Sequence, residues 1–433
     1  MIKKIAALTL GCKVNTYDTE AMLELFSARS YEVVDFGEFA DVYMVNTCTV
    51  TSLSDKKSRQ MLRRARRLNP EAIVVAAGCY AQVSPDAVLA MDEVDLVVGT
   101  KDRLRIVDIV ESYNRESGQA SVVEDIMIER EFESLSVTKQ ESRTRAFLKI
   151  QEGCDQYCSY CIIPYARGHI RSRPEAEVIA EAQRLAQSGY KEVVLAGIHV
   201  ASYGKDLENT DLLAVISKVH EVEGIRRIRM SSIDPKAITP EFVNAISRLT
   251  KVCPHFHLSL QSGCDSTLSR MNRKYTTEQY RVVAGLLREA IPGVALTTDI
   301  IVGFPGETDE EFDCSYEFVK ETGFARIHVF PYSPKEKTPA AGYEKQVPPA
   351  TKNARAAKMI ALGEESSHKF LDCYIEKELE VLYETEPLPG IYEGYSGNYI
   401  TVRTESPNNL VNGIQRVKVV NRAGEYVEAL LHI

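Results

Sequence analysis

The longest apolar stretches in this 433-residue chain, Ala72 to Ala77 among them, fall far short of the roughly 18 to 20 residues that cross a bilayer. No transmembrane segment is expected, and no membrane partner. Positive charge is not in surplus either. With a formal net charge of −9, any nucleic-acid contact has to come from local patches rather than from a uniformly basic surface. The setting for a disulfide framework is also missing. The amino terminus MIKKIAALTLGC mimics a lipoprotein leader, but its apolar part runs only from Ile5 to Leu10 before polar Lys13, Asn15 and Asp18. The ten cysteines therefore read as metal ligands or buried thiols in a reducing compartment, taken to be the cytoplasm. What is present is a globular composition, 44% apolar and 26% charged, at a length that calls for about two to four domains.

Three apolar runs, Ile5 to Leu10, Val42 to Val45 and Ile73 to Ala77, are each followed by helix-compatible sequence, and a fourth, Asp95 to Val98, ends at Gly99. That alternation predicts a parallel α/β domain over residues 1–130. A charged stretch from Glu129 to Arg145 reads as a linker, near residues 130 to 145. Six further strand-like runs begin near Phe147, Val193, Ile228, Phe256, Ala295 and Ile327. They predict an open (βα)6 partial barrel over residues 145–370, short of the eight units of a closed one, with its active site at the strand C-terminal ends. A helix over Ala350 to Phe370 closes this domain. Residues 371–433 carry short β-rich runs between Gly and Asn turns, the pattern of a small β-barrel.

Cys154, Cys158 and Cys161 form C-x3-C-x2-C in the loop after the first barrel strand. Three thiolates can hold three irons of a four-iron cluster, leaving the fourth iron open to the amino and carboxylate groups of S-adenosylmethionine (SAM). A three-cysteine zinc site is the alternative. Cys12, Cys48 and Cys79 share no local motif, yet each ends a strand-like run: LTLGC, VNTC and AAGC. In a parallel sheet those ends share one edge, so the three thiols could meet in one crevice, or could be small apolar residues at buried strand ends. Cys253, Cys264, Cys314 and Cys373 have no ligand spacing and read as structural.

The C-x3-C-x2-C loop resembles that of the radical SAM superfamily. With LGCKVN at Leu10 to Asn15, the chain resembles the radical SAM methylthiotransferase family from end to end. That resemblance implies an auxiliary [4Fe-4S] cluster on Cys12, Cys48 and Cys79, a SAM-binding [4Fe-4S] cluster on Cys154, Cys158 and Cys161, and a C-terminal TRAM-like barrel. Family-like segments are CSYCIIPYARG (Cys158 to Gly168), RSR (Arg171 to Arg173), SSIDP (Ser231 to Pro235), LSLQSG (Leu258 to Gly263) and DIIVGFPGET (Asp299 to Thr308). They place Tyr160, Gly197, Ser231, Ser232, Gln261 and Gly303 near SAM, the glycines and serines for close approach and Gln261 for hydrogen bonding. The expected chemistry is reductive cleavage of SAM, removal of a hydrogen from an unactivated carbon, sulfur insertion and methylation by a second SAM. An external electron donor and a sulfur donor are implied partners. None of the eight histidines is assigned a catalytic role.

LGCKVN and GIHVASYG resemble the tRNA subgroup that acts on N6-threonylcarbamoyladenosine. The alternatives are isopentenyl-adenosine in tRNA, a ribosomal protein aspartate, and, in another class, a non-catalytic iron-sulfur carrier. RNA candidates are Lys56, Arg59, Arg63 and Arg67 on a basic helix after Cys48, then Arg171 and Arg173. Tyr395 and Asn398 in GYSGNY could stack on and hydrogen-bond an unpaired base. Residues 373–433, however, hold nine acidic against five basic residues, the wrong balance for RNA.

Overall fold

A computed structural model describes residues 2–138 and 144–432; part of the expected linker, 139–143, lies outside the described residues. The amino-terminal runs form β1 (Lys4–Thr9), β2 (Glu32–Val34), β3 (Val42–Thr47), β4 (Ile73–Gly78), β5 (Leu96–Val98) and β6 (Ala120–Ser121). Their order in one parallel sheet is β2-β1-β3-β4-β5-β6. β3 is buried along its whole length, as a strand covered by helices on both faces must be. Tyr43, Val45, Val74 and Ala76 pack into one core and Val42, Met44, Val75 and Ala77 into another, one on each face. The strand order reverses between β1 and β3, so the crevice that such sheets use for ligands opens beyond the carboxyl ends of those two strands. Cys12 and Cys48 follow directly on them.

The second unit begins with β7 (Arg145–Glu152), which carries a two-residue antiparallel strand, β8 (Arg171–Ser172), on one edge. β9 (Glu192–Gly197) and β10 (Arg227–Met230) continue the sheet in parallel. Isolated bridges from Ile228 to Val252 and from Ile233 to Leu258 lead on to β11 (His255–His257), β12 (Ala295–Val302) and β13 (Arg326–Pro331). This is the open six-strand partial barrel expected from the sequence, with β8 as an addition. Alternate residues such as Leu148, Leu195, Met230 and Leu258 point outward into the core beneath the helices. The lumen side receives Phe147, Lys149, Val194, Arg229 and His257. A helix over Pro349–Asp372 packs along β13, and a closed barrel follows with strand order β14-β15-β16-β18-β17. Its strands are Glu378–Leu388, Ile391–Ser396, Thr401–Glu405, Ile414–Ala423 and Tyr426–Leu431. No helix among the described residues is long and apolar enough to cross a membrane.

Two seams hold the units together. At the first, helix α1 (Lys13–Ala28) lies against β7. Asp18 of α1 and Glu152 of β7, both buried, share three buried cations. Lys149 Nζ is 2.6 Å from Asp18 and 2.7 Å from Glu152, and Arg103 is 2.5 Å and 2.9 Å from the same two carboxylates. Arg167 completes the network, 2.9 Å from Asp18 and bonded to Glu152. Burial alone would raise both carboxyls, but the three cations overcome it and hold both below the ordinary carboxylate range. At the second seam the C-terminal barrel seats its Ser396–Gly397 carbonyls on Arg229, at 3.2 and 3.0 Å, under the amino-terminal ends of the β7–β10 strands.

Candidate functional site

Each cysteine set is positioned by backbone that its neighbours require. Gly11 stands at φ 102°, and a Cβ there would lie 2.9 Å from both Cβ and Sγ of Cys48, so this glycine lets the first two cysteine loops touch. Asn15 ties those loops further, donating to the Leu10 carbonyl at 2.7 Å and the Thr47 carbonyl at 3.0 Å. Cys79 begins the short helix after β4, and its Sγ accepts a hydrogen bond from Arg167 Nε at 3.2 Å. In the second set, Gly153 at φ 74° precedes Cys154 and packs so closely on the His169 carbonyl that no Cβ would fit. Arg273 donates to Cys158 Sγ at 3.3 Å and is itself held by Asp234 at 3.2 Å.

Electrostatically the thiols divide into the two expected groups. Ionisation of Cys12 or Cys48 raises the pKa of Cys79, while Cys158 raises that of Cys154, and Cys158 and Cys154 raise that of Cys161. Burial is the larger cause in each group, pushing Cys79 and Cys154 up to about 11 and Cys161 up to about 12. Bare thiolates are therefore penalised here and would need a metal group or the arginines to hold them. No set of three or more His, Cys, Asp or Glu side chains among the described residues converges tightly enough for a single metal ion. Four of the six thiols face an open space.

That space is a cavity of about 540 Å3 at the carboxyl ends of the barrel strands. Cys154, Cys158, Cys161 and Cys12 all line it, while Cys48 and Cys79 are buried. Tyr160, Gly197, Ser231, Ser232 and Gln261 all line the same cavity. Gln261 is held at φ 68°, a left-handed conformation costly for a side-chain-bearing residue, by backbone bonds of 2.9 Å to Asp299 and from Ile301. Ser231 Oγ is buried in the lining without a hydrogen-bond partner among the described residues, and His199 Nε2 there has Asp234 at 3.9 Å. An unsatisfied hydroxyl beside a cavity with four thiols fits a polar cofactor such as SAM next to an iron-sulfur cluster.

Gly303 does not reach this cavity. It packs on Lys352 of the closing helix, whose Cγ would lie 2.4 Å from an added Cβ, and its N–H goes to Glu307 at 2.6 Å. Several RNA candidates are likewise spent internally. Arg171 and Arg173 are buried, Arg173 pairing with Glu181 at 2.8 Å beside Tyr17 of α1. Asn398 is buried at the second seam, donating to the Gly293 carbonyl at 3.3 Å, and Tyr395 stacks on Tyr399 under Arg145. On α2 (Ser52–Leu68), Arg59 bonds the Tyr80 hydroxyl and Arg63 faces Glu93 at 3.5 Å, while Lys56, Lys57 and Arg67 stay exposed. Sequence places Arg167 in a basic cluster with Arg171 and Arg173, but it is buried on Cys79, Asp18 and Glu152. Asn15, His199 and Arg273 carry no role in the sequence; the first two lie inside the motifs LGCKVN and GIHVASYG, but only their partners reveal what they do.

Residues 4–99 match the uncharacterized protein family UPF0004, and residues 148–319 match the radical SAM superfamily. The chain is 44% identical, over 98% of its length and 95% of the relative's, to the threonylcarbamoyladenosine tRNA methylthiotransferase MtaB of Bacillus subtilis. It is 36% identical to the protein of the same name in Thermotoga maritima, over 98% of this chain and 96% of that one. A tRNA-2-methylthio-N(6)-dimethylallyladenosine synthase of Cereibacter sphaeroides is 35% identical over 96% of each. Among solved structures, the radical SAM methyltransferase TsrM of Kitasatospora setae shares the fold, with a TM-score of 0.59 and 17% identity over 79% of this chain and 77% of that one.

Proposed function

From a chain that belongs to the radical SAM methylthiotransferase family, we propose an enzyme that adds a methylthio group to carbon 2 of N6-threonylcarbamoyladenosine in tRNA, in the cytoplasm. The observation that carries the reading is one cavity lined by Cys12 of the first cysteine set together with Cys154, Cys158 and Cys161 of the second, in a chain whose MtaB relatives match almost end to end. When bound, the two clusters and SAM supply the radical, the sulfur and the methyl group.

The chain's own residues hold and orient. Arg273 and Arg167 each donate to one thiol sulfur, Cys158 and Cys79, and at Cys79 the arginine opposes the rise that burial causes. Asp234 fixes Arg273, and the buried network of Asp18, Glu152 and their cations fixes Arg167, so both donors are locked by ion pairs. Ser231, Ser232 and Gln261 present polar groups to SAM, and Val14, Val50, Ile163 and Ile198 wall the cavity against water.

The tRNA would approach along α2. Val50 lines the cavity just before this helix, and the first turn of α2 is tied to the exit of β13 by a bond from Ser52 to the Pro334 carbonyl and an ion pair of Asp55 with Lys335. The exposed Lys56, Lys57 and Arg67 therefore extend from the cavity mouth, where phosphates would meet them.

Mass spectrometry of tRNA nucleosides from cells lacking the gene, complemented by wild type or by Cys154→Ala, tests the reading. The 2-methylthio derivative of threonylcarbamoyladenosine should return with wild type alone. An unchanged nucleoside in cells with no second such enzyme would sink the assignment and point to isopentenyl-adenosine or a protein substrate.

A further inference from the structure

Lys13 follows Cys12 at the start of α1 and is the one residue common to two cavities. On one side is the cysteine-lined cavity just described. On the other is a cavity of about 330 Å3 reaching down the barrel lumen to the second seam, lined by Arg145, Phe147, Val194, Arg229, Glu384 and Tyr399 among others. Lys13 is exposed where it lines both cavities.

Charge accounting sets Lys13 apart. Arg145 is paired with Glu384 at 2.5 Å, Arg229 with Glu192 at 2.7 Å, and Arg273 with Asp234 at 3.2 Å. The ammonium of Lys13 has no hydrogen bond or ion pair among the described residues, so the combined space carries one uncompensated cation. An unpaired ammonium that lines a cavity can give a charge-assisted hydrogen bond to an anionic ligand that enters it.

We infer that Lys13 is a specificity residue that binds the carboxylate of the substrate's N6 substituent, and so selects a base with an anionic substituent over one with an apolar substituent. This rests on the function proposed above. In adenine, C2 and C6 flank the same ring nitrogen, N1, so a group on N6 lies beside the carbon that receives sulfur. A cation on the residue after Cys12 stands on the wall from which sulfur would come. Backbone phosphates, by contrast, stay outside with the exposed cations of α2.

The test uses the cluster-loaded enzyme and two anticodon stem-loop RNAs, one with threonylcarbamoyladenosine and one with its methyl ester, alike in shape but lacking the charge. Wild type should bind and convert the acid in preference to the ester by about ten- to a hundredfold, the range for a hydrogen bond to a charged group. In Lys13→Gln that ratio should fall to near one, and Lys13→Arg should keep most of it. Equilibrium binding of both RNAs supplies a readout besides turnover, and iron and sulfide content controls for the clusters. Equal treatment of acid and ester by wild type overturns the inference, whatever the variants do. So does a Lys13→Gln enzyme in which acid and ester weaken equally while the auxiliary cluster's spectrum changes, because the lysine then serves the cluster. Conversion of the threonylcarbamoyl RNA without preference for the acid would sink this inference alone. Conversion only of an isopentenyl-adenosine RNA would sink the function it rests on.

Discussion

Replacing Lys149 by methionine is a direct trial of the first seam. Lys149 is fully buried on β7, and its ammonium sits between Asp18 and Glu152 at 2.6 and 2.7 Å. Around these two carboxylates and Glu133, which Arg103 also holds at 2.7 Å, the positive and negative charges balance. Methionine fills a similar volume but leaves one buried carboxylate charge uncompensated. Breaking a buried ion pair from one side costs about 3–5 kcal/mol. At about 2–4 °C per kcal/mol for a domain of this size, the first thermal transition should fall by about 6–20 °C. Circular dichroism on the purified protein reads that shift, and limited proteolysis between α1 and β7 should become faster as the units part. The Lys149→Met/Glu152→Gln double variant restores the balance and should recover part of the loss. A single variant within about 2 °C of wild type would refute the reasoning, since that is the scale of an ordinary surface change.

Three further outcomes follow from other parts of the molecule. Arg167→Lys keeps the charge but loses the bond to Cys79, so iron per chain should drop toward half, with absorbance and iron assay as the measure. The hydrogen bond from Arg270 holds the Glu311 carboxyl down at about 2, so its stabilisation is complete above the usual carboxylate range and is lost as pH falls from about 4 toward 2. Glu311→Gln should therefore flatten the acid limb of a melting-temperature profile, and an unchanged limb would count against the pairing. Alanine at Lys56, Lys57 and Arg67 should weaken tRNA binding and lower the slope of log affinity against log salt by about one unit per lost phosphate contact. An unaltered slope would move the RNA path away from α2.

Much of the fold was legible because its strands are uninterrupted apolar runs, and a parallel sheet requires such runs where both faces are covered. β2 and β6 escaped notice because they are short and partly exposed. β8 is two residues long and carries charged Arg171, which no strand pattern would flag. The C-x3-C-x2-C loop declared itself by spacing, whereas Cys12, Cys48 and Cys79 needed the sheet to bring them to one edge. Positive charge proved the weakest guide. Arg171, Arg173 and Arg59 read as an RNA surface because a sequence shows a cation but not the carboxylate, carbonyl or hydroxyl that the fold brings against it. Gly303 was placed by motif on the cofactor side, but its small size serves the approach of Lys352.

The acidic balance of the C-terminal barrel, awkward for a domain expected to touch RNA, has a structural reason at the second seam. The underside of the radical SAM barrel presents Arg145, Arg227 and Arg229, and only Glu192 from its own strands lies among them. The C-terminal barrel answers with Glu384 on Arg145 at 2.5 Å and Glu380 on Arg227 at 3.3 Å, besides backbone carbonyls from Tyr395, Ser396 and Gly397. Tyr399 then lies under Arg229 at 4.4 Å and closes the lower cavity. Two of the nine acidic residues thus balance arginines that outnumber the single Glu192 of the radical SAM barrel there. GYSGNY, read from sequence as a base-stacking loop, forms the floor beneath the lumen instead. The Tyr399 ring and the two paired arginines line the lower cavity together with Lys13, the free cation among the described residues of that space, so the docking that engages the loop at the seam also closes that cavity.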